Sequence, residues 1–155
     1  MIKIYIDTSV LNFYFADDFP LEKTFTCRLF DAIRQGYYEA YISSTVLEEI
    51  NAAEEEIREK PLSLVKDYEM KVLVLNEEVE NLAMEHISEG VIPEKYAEDA
   101  YHIAFTVINN LDILISWNFD HIVKLKTKKM VNGISYLKGL KVIEICTPGE
   151  VEYEF

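Results

Sequence analysis

Short apolar runs alternate along this chain with longer stretches of helical period, and that alternation constrains the fold more than any other feature. Residues 2–6 (IKIYI), 38–43 (YEAYIS), 72–75 (VLVL), 112–116 (DILIS) and 142–145 (VIEI) read as strands. Between them, 9–15 and 21–35 carry helical spacing, with Phe25, Leu29, Phe30 and Ile33 on one face and a stop at Gly36. From Ser44, a second stripe runs through Val46, Leu47, Ile50, Ala53 and Ile57. Pro61 is expected to open another short helix through Tyr68. Helices are expected at 77–88 and at 94–109, the latter reached through Pro93, and lysine-bearing helical turns over 119–139. Strands alternating with helices predict right-handed βαβ crossovers, hence an α/β, three-layer α/β/α architecture around a mostly parallel sheet. No Pro/Gly/Ser-rich linker or repeat interrupts it, so residues 1–155 are expected to form a single domain.

Composition narrows the class. Half the residues are hydrophobic and 28% are charged, which excludes a disordered chain. No apolar stretch approaches the roughly 18 residues of a membrane span. The opening MIKIYIDTSV has no long apolar run and no small-residue cleavage site, so no secretory signal is expected. Two cysteines, Cys27 and Cys146, are too few for a disulfide scaffold. They read as small buried hydrophobes in a reducing, cytoplasmic setting. With 15 Lys and Arg against 28 Asp and Glu, the net charge is −13, which weighs against phosphate-backbone binding at long range. Divalent cations held by clustered carboxylates would invert that field locally. The sequence lacks GxGxxG, GxxxxGK[ST] and GxSxG, so dinucleotide binding, P-loop hydrolysis and an elbow-type serine nucleophile are unsupported. His86, His102 and His121 have no zinc spacing and read as structural or surface residues.

In parallel α/β sheets, ligands bind beyond the carboxyl ends of the strands. Asp7 follows the first strand, and Ser116, Asn118 and Asp120 follow the fourth. Glu48 and Glu49 lie in the helix after the second strand, and Asp99 lies in the helix leading to the fourth. A cluster of carboxylate oxygens suits Mg²⁺ or Mn²⁺, and without a cation such groups would repel one another. Each has a duller reading. Asp7, Asn118 and Asp120 could be caps. Thr45-Val46-Leu47-Glu48 matches a capping box, which leaves Glu49 the better ligand candidate. Asp99 sits in a helix apolar around most of its circumference, where a carboxylate is costly unless paired, metal-bound or turned out beside Glu98. Lys124, Lys126, Lys128 and Lys129 form a basic run that is either a solvated face or a phosphate contact flanking the acidic site.

IYIDTSVLNFYF at the start, YISSTVLEEI at 41–50, EDAYHIAFTVINNLDILISWNFDHI at 98–122 and the closing VIEICTP together resemble the PIN-domain nucleases. The nearest subgroup is the VapC-like toxin half of toxin–antitoxin pairs. The resemblance spans nearly the whole chain. It implies a metal-dependent endoribonuclease using Mg²⁺ or Mn²⁺, with acidic positions at Asp7, Glu49 and Asp99. The family's fourth acidic position falls on Asn118, with Asp120 as the nearby carboxylate that could replace it, and Ser116 matches a family hydroxyl. The resemblance further implies an RNA substrate, a cognate antitoxin and a homodimer.

Two other readings compete. Asp7 could be a phosphoacceptor, with Lys138 or Lys141 as its basic partner. Alternatively, the chain could be a PIN-like module that binds RNA or protein without cutting, the reading that Asn118 keeps open.

Overall fold

A computed structural model describes residues 1–151. Its centre is a five-stranded parallel sheet of β1 (Ile2–Ile6), β2 (Tyr38–Ser43), β3 (Lys71–Leu73), β4 (Ile113–Ile115) and β5 (Glu144–Cys146), in the order β3-β2-β1-β4-β5. Ile4, Tyr5 and Ile6 of β1 are all fully buried, as expected for a central parallel strand covered on both faces. β3 lies at an edge, where Lys71 and Val72 are exposed.

Among the described residues, seven helices connect the strands: α1 (Thr8–Phe13), α2 (Pro20–Arg34), α3 (Ser44–Asn51), α4 (Glu55–Asp67), α5 (Glu77–Ser88), α6 (Ala97–Ile108) and α7 (Leu125–Leu137). A 3-10 turn at Glu94–Tyr96 leads into α6. Right-handed crossovers put α1–α4 on one face and α5–α7 on the other. α1 touches α2, α3 and α4, and α5 packs along α6, while α3 and α6 meet across the division. An ion pair between Glu85 and Lys138 joins the ends of α5 and α7. The architecture is therefore the α/β, three-layer arrangement with an all-parallel sheet.

Local signals set most boundaries. α2 starts at Pro20 and stops before Gly36, whose φ of +88° is a left-handed conformation that glycine adopts freely. Asn76 caps α5 by accepting from the Val79 N–H at 2.9 Å, with Glu77, Glu78 and Glu80 in the first turn. Asn76→Ala is expected to cost about 1 kcal/mol of stability, readable as a lower urea midpoint at unchanged slope.

Several expectations are corrected. The stripe from Val46 to Ile57 is not one helix. The chain breaks at Ala52–Glu54 and restarts as α4, with Glu55 and Glu56 at the new N-terminus, where acidic residues are favoured. Pro61 does not open a helix but lies inside α4. Proline supplies no N–H to the Ile57 carbonyl, and Ile57 is on an exposed part of the helix, where water can serve that oxygen. The capping box at Thr45 is not used either. Ser43 caps α3, its hydroxyl accepting from the Val46 N–H. Residues 119–122 form a turn, and α7 begins only at Leu125. Cys27 and Cys146 are free and partly exposed rather than fully buried. One hydrophobic core extends from Ile4 to Val151, and the last four residues of the expected domain lie outside the described residues. Among the described residues, no helix is long and apolar enough to cross a membrane.

Candidate active site

The chain runs from β1 outward to β2 and β3, while β4 and β5 lie on the other side of β1. The carboxyl ends of β1 and β4 therefore flank the topological switch point, where such sheets bind ligands. Backbone bonds carry the pairing into this edge: the Asp7 N–H donates to the Ile115 carbonyl, and the Ser116 N–H to the Cys146 carbonyl.

Asp7 is 3% exposed and has two tasks. Its Oδ1 caps α1, accepting from the Val10 N–H and from the Ser9 hydroxyl at 2.6 Å. Its Oδ2 accepts from the Ser116 hydroxyl. Burial raises its pKa above the ordinary carboxylate value, against the opposing pull of the His102 charge and of the Ser116, Ser9 and Val10 donors. The capping and site readings of Asp7 thus coincide in one side chain.

Glu49 reaches the same edge from α3. Its Oε1 accepts from the Thr8 hydroxyl at 3.0 Å and meets His102 Nε2 at 2.7 Å. Glu48 is exposed. His102 is fully buried, and its Nδ1 lies 2.7 Å from the Tyr5 hydroxyl, which in turn lies 2.7 Å from Ser43 Oγ. Burial works against a charged imidazole here, but the Glu49 bond and the charges of Glu49, Asp7 and Asp99 carry its pKa above 6.5.

Asp99, in the first turn of α6, turns inward. Its Oδ2 accepts from the Asn118 amide at 3.2 Å and meets His121 Nδ1 at 3.0 Å, and the His121 ring stacks near Tyr96. Its pKa is raised, first by burial, with His102 and His121 lowering it and the Asp7 charge raising it further. Asn118 Oδ1 accepts the backbone N–H groups of Asp120 and His121, which forms the turn after β4. The Asp120 side chain is exposed.

Glu49, Asp99, Asn118 and His121 border a cleft of about 560 Å³ that Ser9, Tyr96, Trp117 and Asp120 also wall, whereas the buried Asp7, His102 and Ser116 do not line it. Trp117 is held by its backbone N–H on Ser9 Oγ and by its indole N–H on Thr26 Oγ1. None of the four lysines of the 124–129 run lines this cleft.

The fold and sequence thus bring Asp7, Glu49, Asp99, Ser116 and Asn118 to one edge, with Asp120 on the wall. Sequence reasoning missed His102 and His121, which contact Glu49 and Asp99 directly. Zinc-type spacing was the wrong signal for them. His102 falls three residues after Asp99, almost one helical turn, and that spacing is the signal that could have found it.

The donor set suits a hard cation. Both bonds to Glu49 fall on Oε1 and both bonds to Asp99 fall on Oδ2, so Oε2 and Oδ1 carry no hydrogen bond among the described residues. The side chains as they stand are held by protein donors. Among the described residues, no three His, Cys, Asp or Glu groups are already gathered as a metal site.

A doubly flanked five-stranded parallel sheet with a polar cleft at the β1/β4 switch point defines a PIN-like α/β fold. The structure is similar to VapBC2 from Rickettsia felis, solved bound to a DNA fragment from their promoter. The TM-score is 0.52 at 14% identity, covering 94% of this chain and 98% of that one. No protein-family model and no curated protein matches the sequence.

Proposed function

We propose that the chain is a metal-dependent endoribonuclease hydrolysing phosphodiester bonds, and the toxin of a type II toxin–antitoxin pair. The observation that carries this reading is the cleft that Glu49 and Asp99 line from two separate helices, each with an uncommitted oxygen, with the buried Asp7 bonded to Ser9 of its wall. The PIN-like fold and the sequence resemblance support it. Asp7, Glu49 and Asp99 would hold Mg²⁺ or Mn²⁺, with Asp120 as a further donor from the wall. When bound, such an ion polarises a phosphodiester and acidifies the attacking water.

The chain's own residues do the rest. Ser116 and Ser9 hold Asp7, and Asn118 holds Asp99 while shaping the turn that presents Asp120. In this reading the exposed Asp120 carboxylate would take a proton from the attacking water. Trp117 and Tyr96 wall the cleft. The structural neighbour is a VapBC2 assembly, which supports a cognate antitoxin partner here. A cytoplasmic homodimer is part of the same reading. In it, lysines of the 124–129 run that do not line the cleft of their own chain would offer phosphate contacts to an RNA crossing both copies.

The test is cleavage of a mixed, end-labelled RNA pool with Mn²⁺ or Mg²⁺. Cutting is expected with metal, none with EDTA, and a drop of about a hundred-fold or more in Asp99→Asn. A non-cutting binding module is the second reading, favoured by the protein hydrogen bonds that already occupy all three carboxylates. It gains if wild type neither cuts RNA nor binds Mn²⁺ by calorimetry.

A further inference from the structure

Two histidines grip two carboxylates of the cleft in the same manner. His102 Nε2 meets Glu49 Oε1 at 2.7 Å, and His121 Nδ1 meets Asp99 Oδ2 at 3.0 Å. A second donor reinforces each grip on the same oxygen, Thr8 for Glu49 and Asn118 for Asp99. An ionised carboxylate only accepts hydrogen bonds, so each histidine nitrogen in these contacts carries the proton. We infer that His102 and His121 are positioning residues that each pin one carboxylate oxygen of the cleft and thereby present the other to an incoming ligand. The inference rests on the function proposed above for what that ligand is, but the clamp itself stands on the hydrogen bonds.

Each clamp is anchored in a different way. His102 is 2% exposed and is braced from behind by Tyr5, which meets Ser43 Oγ on its other side. Ser43 is also the cap of α3, the helix that carries Glu49. The same hydroxyl therefore fixes both the helix and the far end of the chain of bonds that fixes its glutamate. A direction follows for the neutral ring: Tyr5 donates to Nδ1, and Nε2–H donates to Glu49. His121 is partly exposed and is braced by its ring contact with Tyr96, centroids 4.1 Å apart, and by its backbone N–H on Asn118 Oδ1. Its Nδ1–H is the donor. The two rings thus use opposite nitrogens for the same task. Charge-assisted hydrogen bonds to a ligating carboxylate fix its orientation, and losing such a partner costs roughly 10–100-fold in metal affinity.

That opposition supplies the test. A glutamine amide reaches the place of a histidine Nε2, and an asparagine amide the place of Nδ1. Mn²⁺ affinity by calorimetry should be nearly retained in His102→Gln and His121→Asn. It should fall roughly 10–100-fold in His102→Asn and His121→Gln. Thermal melts on all four variants identify any that fail to fold. Equal losses for Asn and Gln at both positions, in folded proteins, would overturn the clamp, because a purely space-filling role does not distinguish which nitrogen is kept. Nitrogen-15 spectra of the wild-type imidazoles in alkaline buffer give a reading that needs no metal. The expected tautomers are Nε2–H for His102 and Nδ1–H for His121, and the same tautomer at both also refutes the proposal. Wild type that shows the expected tautomers yet binds no Mn²⁺ would retain the clamp and reject the metal-nuclease reading instead.

Discussion

Asp7→Asn is expected to abolish metal-dependent RNA cleavage while leaving the metal-free protein at least as stable as wild type at neutral pH. The activity follows from removing a buried anionic donor at the switch point, for which a loss of about a hundred-fold or more is expected. The stability follows from the local physics. Asparagine caps helices about as well as aspartate, so the bond from the Val10 N–H survives. Ser116 can accept from an asparagine amide as it already accepts from the Asn118 N–H.

The sign of the charge effect is set by the raised pKa of Asp7. A carboxyl whose folded pKa lies above its unfolded value of 3.8 contributes stability that is complete below 3.8 and lost as pH rises through the folded pKa. At neutral pH the buried carboxyl of Asp7 is therefore a net cost that asparagine avoids. The advantage of the variant should grow from acid to neutral pH in urea titrations without metal. Saturating Mn²⁺ should reverse the order, because only wild type gains stability by binding. A variant less stable than wild type at neutral pH without metal would show that the hydrogen bonds to the carboxylate outweigh its burial.

His86→Leu is expected to stabilise the protein by about 1–3 kcal/mol at neutral pH and by more in mild acid. His86 is fully buried on α5, and neither ring nitrogen has a hydrogen-bond partner among the described residues. An apolar side chain of similar size removes that unpaired polarity. Burial also lowers the His86 pKa from 6.5 to about 4. A depressed folded pKa gives stability that is complete above the unfolded value and lost as pH falls towards the folded one. Between 6.5 and 4 the unfolded chain takes up a proton that the folded chain refuses, and about 3 kcal/mol is lost across that window. Urea titrations at several pH values should show a shallower acid decline in His86→Leu than in wild type. Parallel declines would mean that another group sets the acid limit.

Much of the architecture was legible because it is written in local pattern. IKIYI and YEAYIS form strands at the expected residues, and the helix over 77–88 matches α5. The misreadings have local causes too. The stripe through Ile57 kept helical period across a break that Glu55 and Glu56 mark as a new N-terminus, and Pro61 was tolerated because water reaches the exposed turn before it. The preference for Glu49 over Glu48 came from a capping box that is not formed. The structure does leave Glu48 exposed and turn Glu49 to the cleft, but Ser43 is the cap.

The sequence by itself determined the class of fold and the carboxylates at the strand ends, since strand period, helix period and turn position are properties of neighbouring residues. Only the tertiary structure decided what each carboxylate touches. Glu49 and His102 are 53 positions apart, and Asp7 and Ser116 are 109 apart. Those pairs exist because β4 lies beside β1 and the first half of α6 meets α3, an arrangement that no local pattern specifies. Hydrogen bonds of this reach depend on where the crossovers place the elements, so the histidines that hold the cleft became visible only once the sheet was assembled.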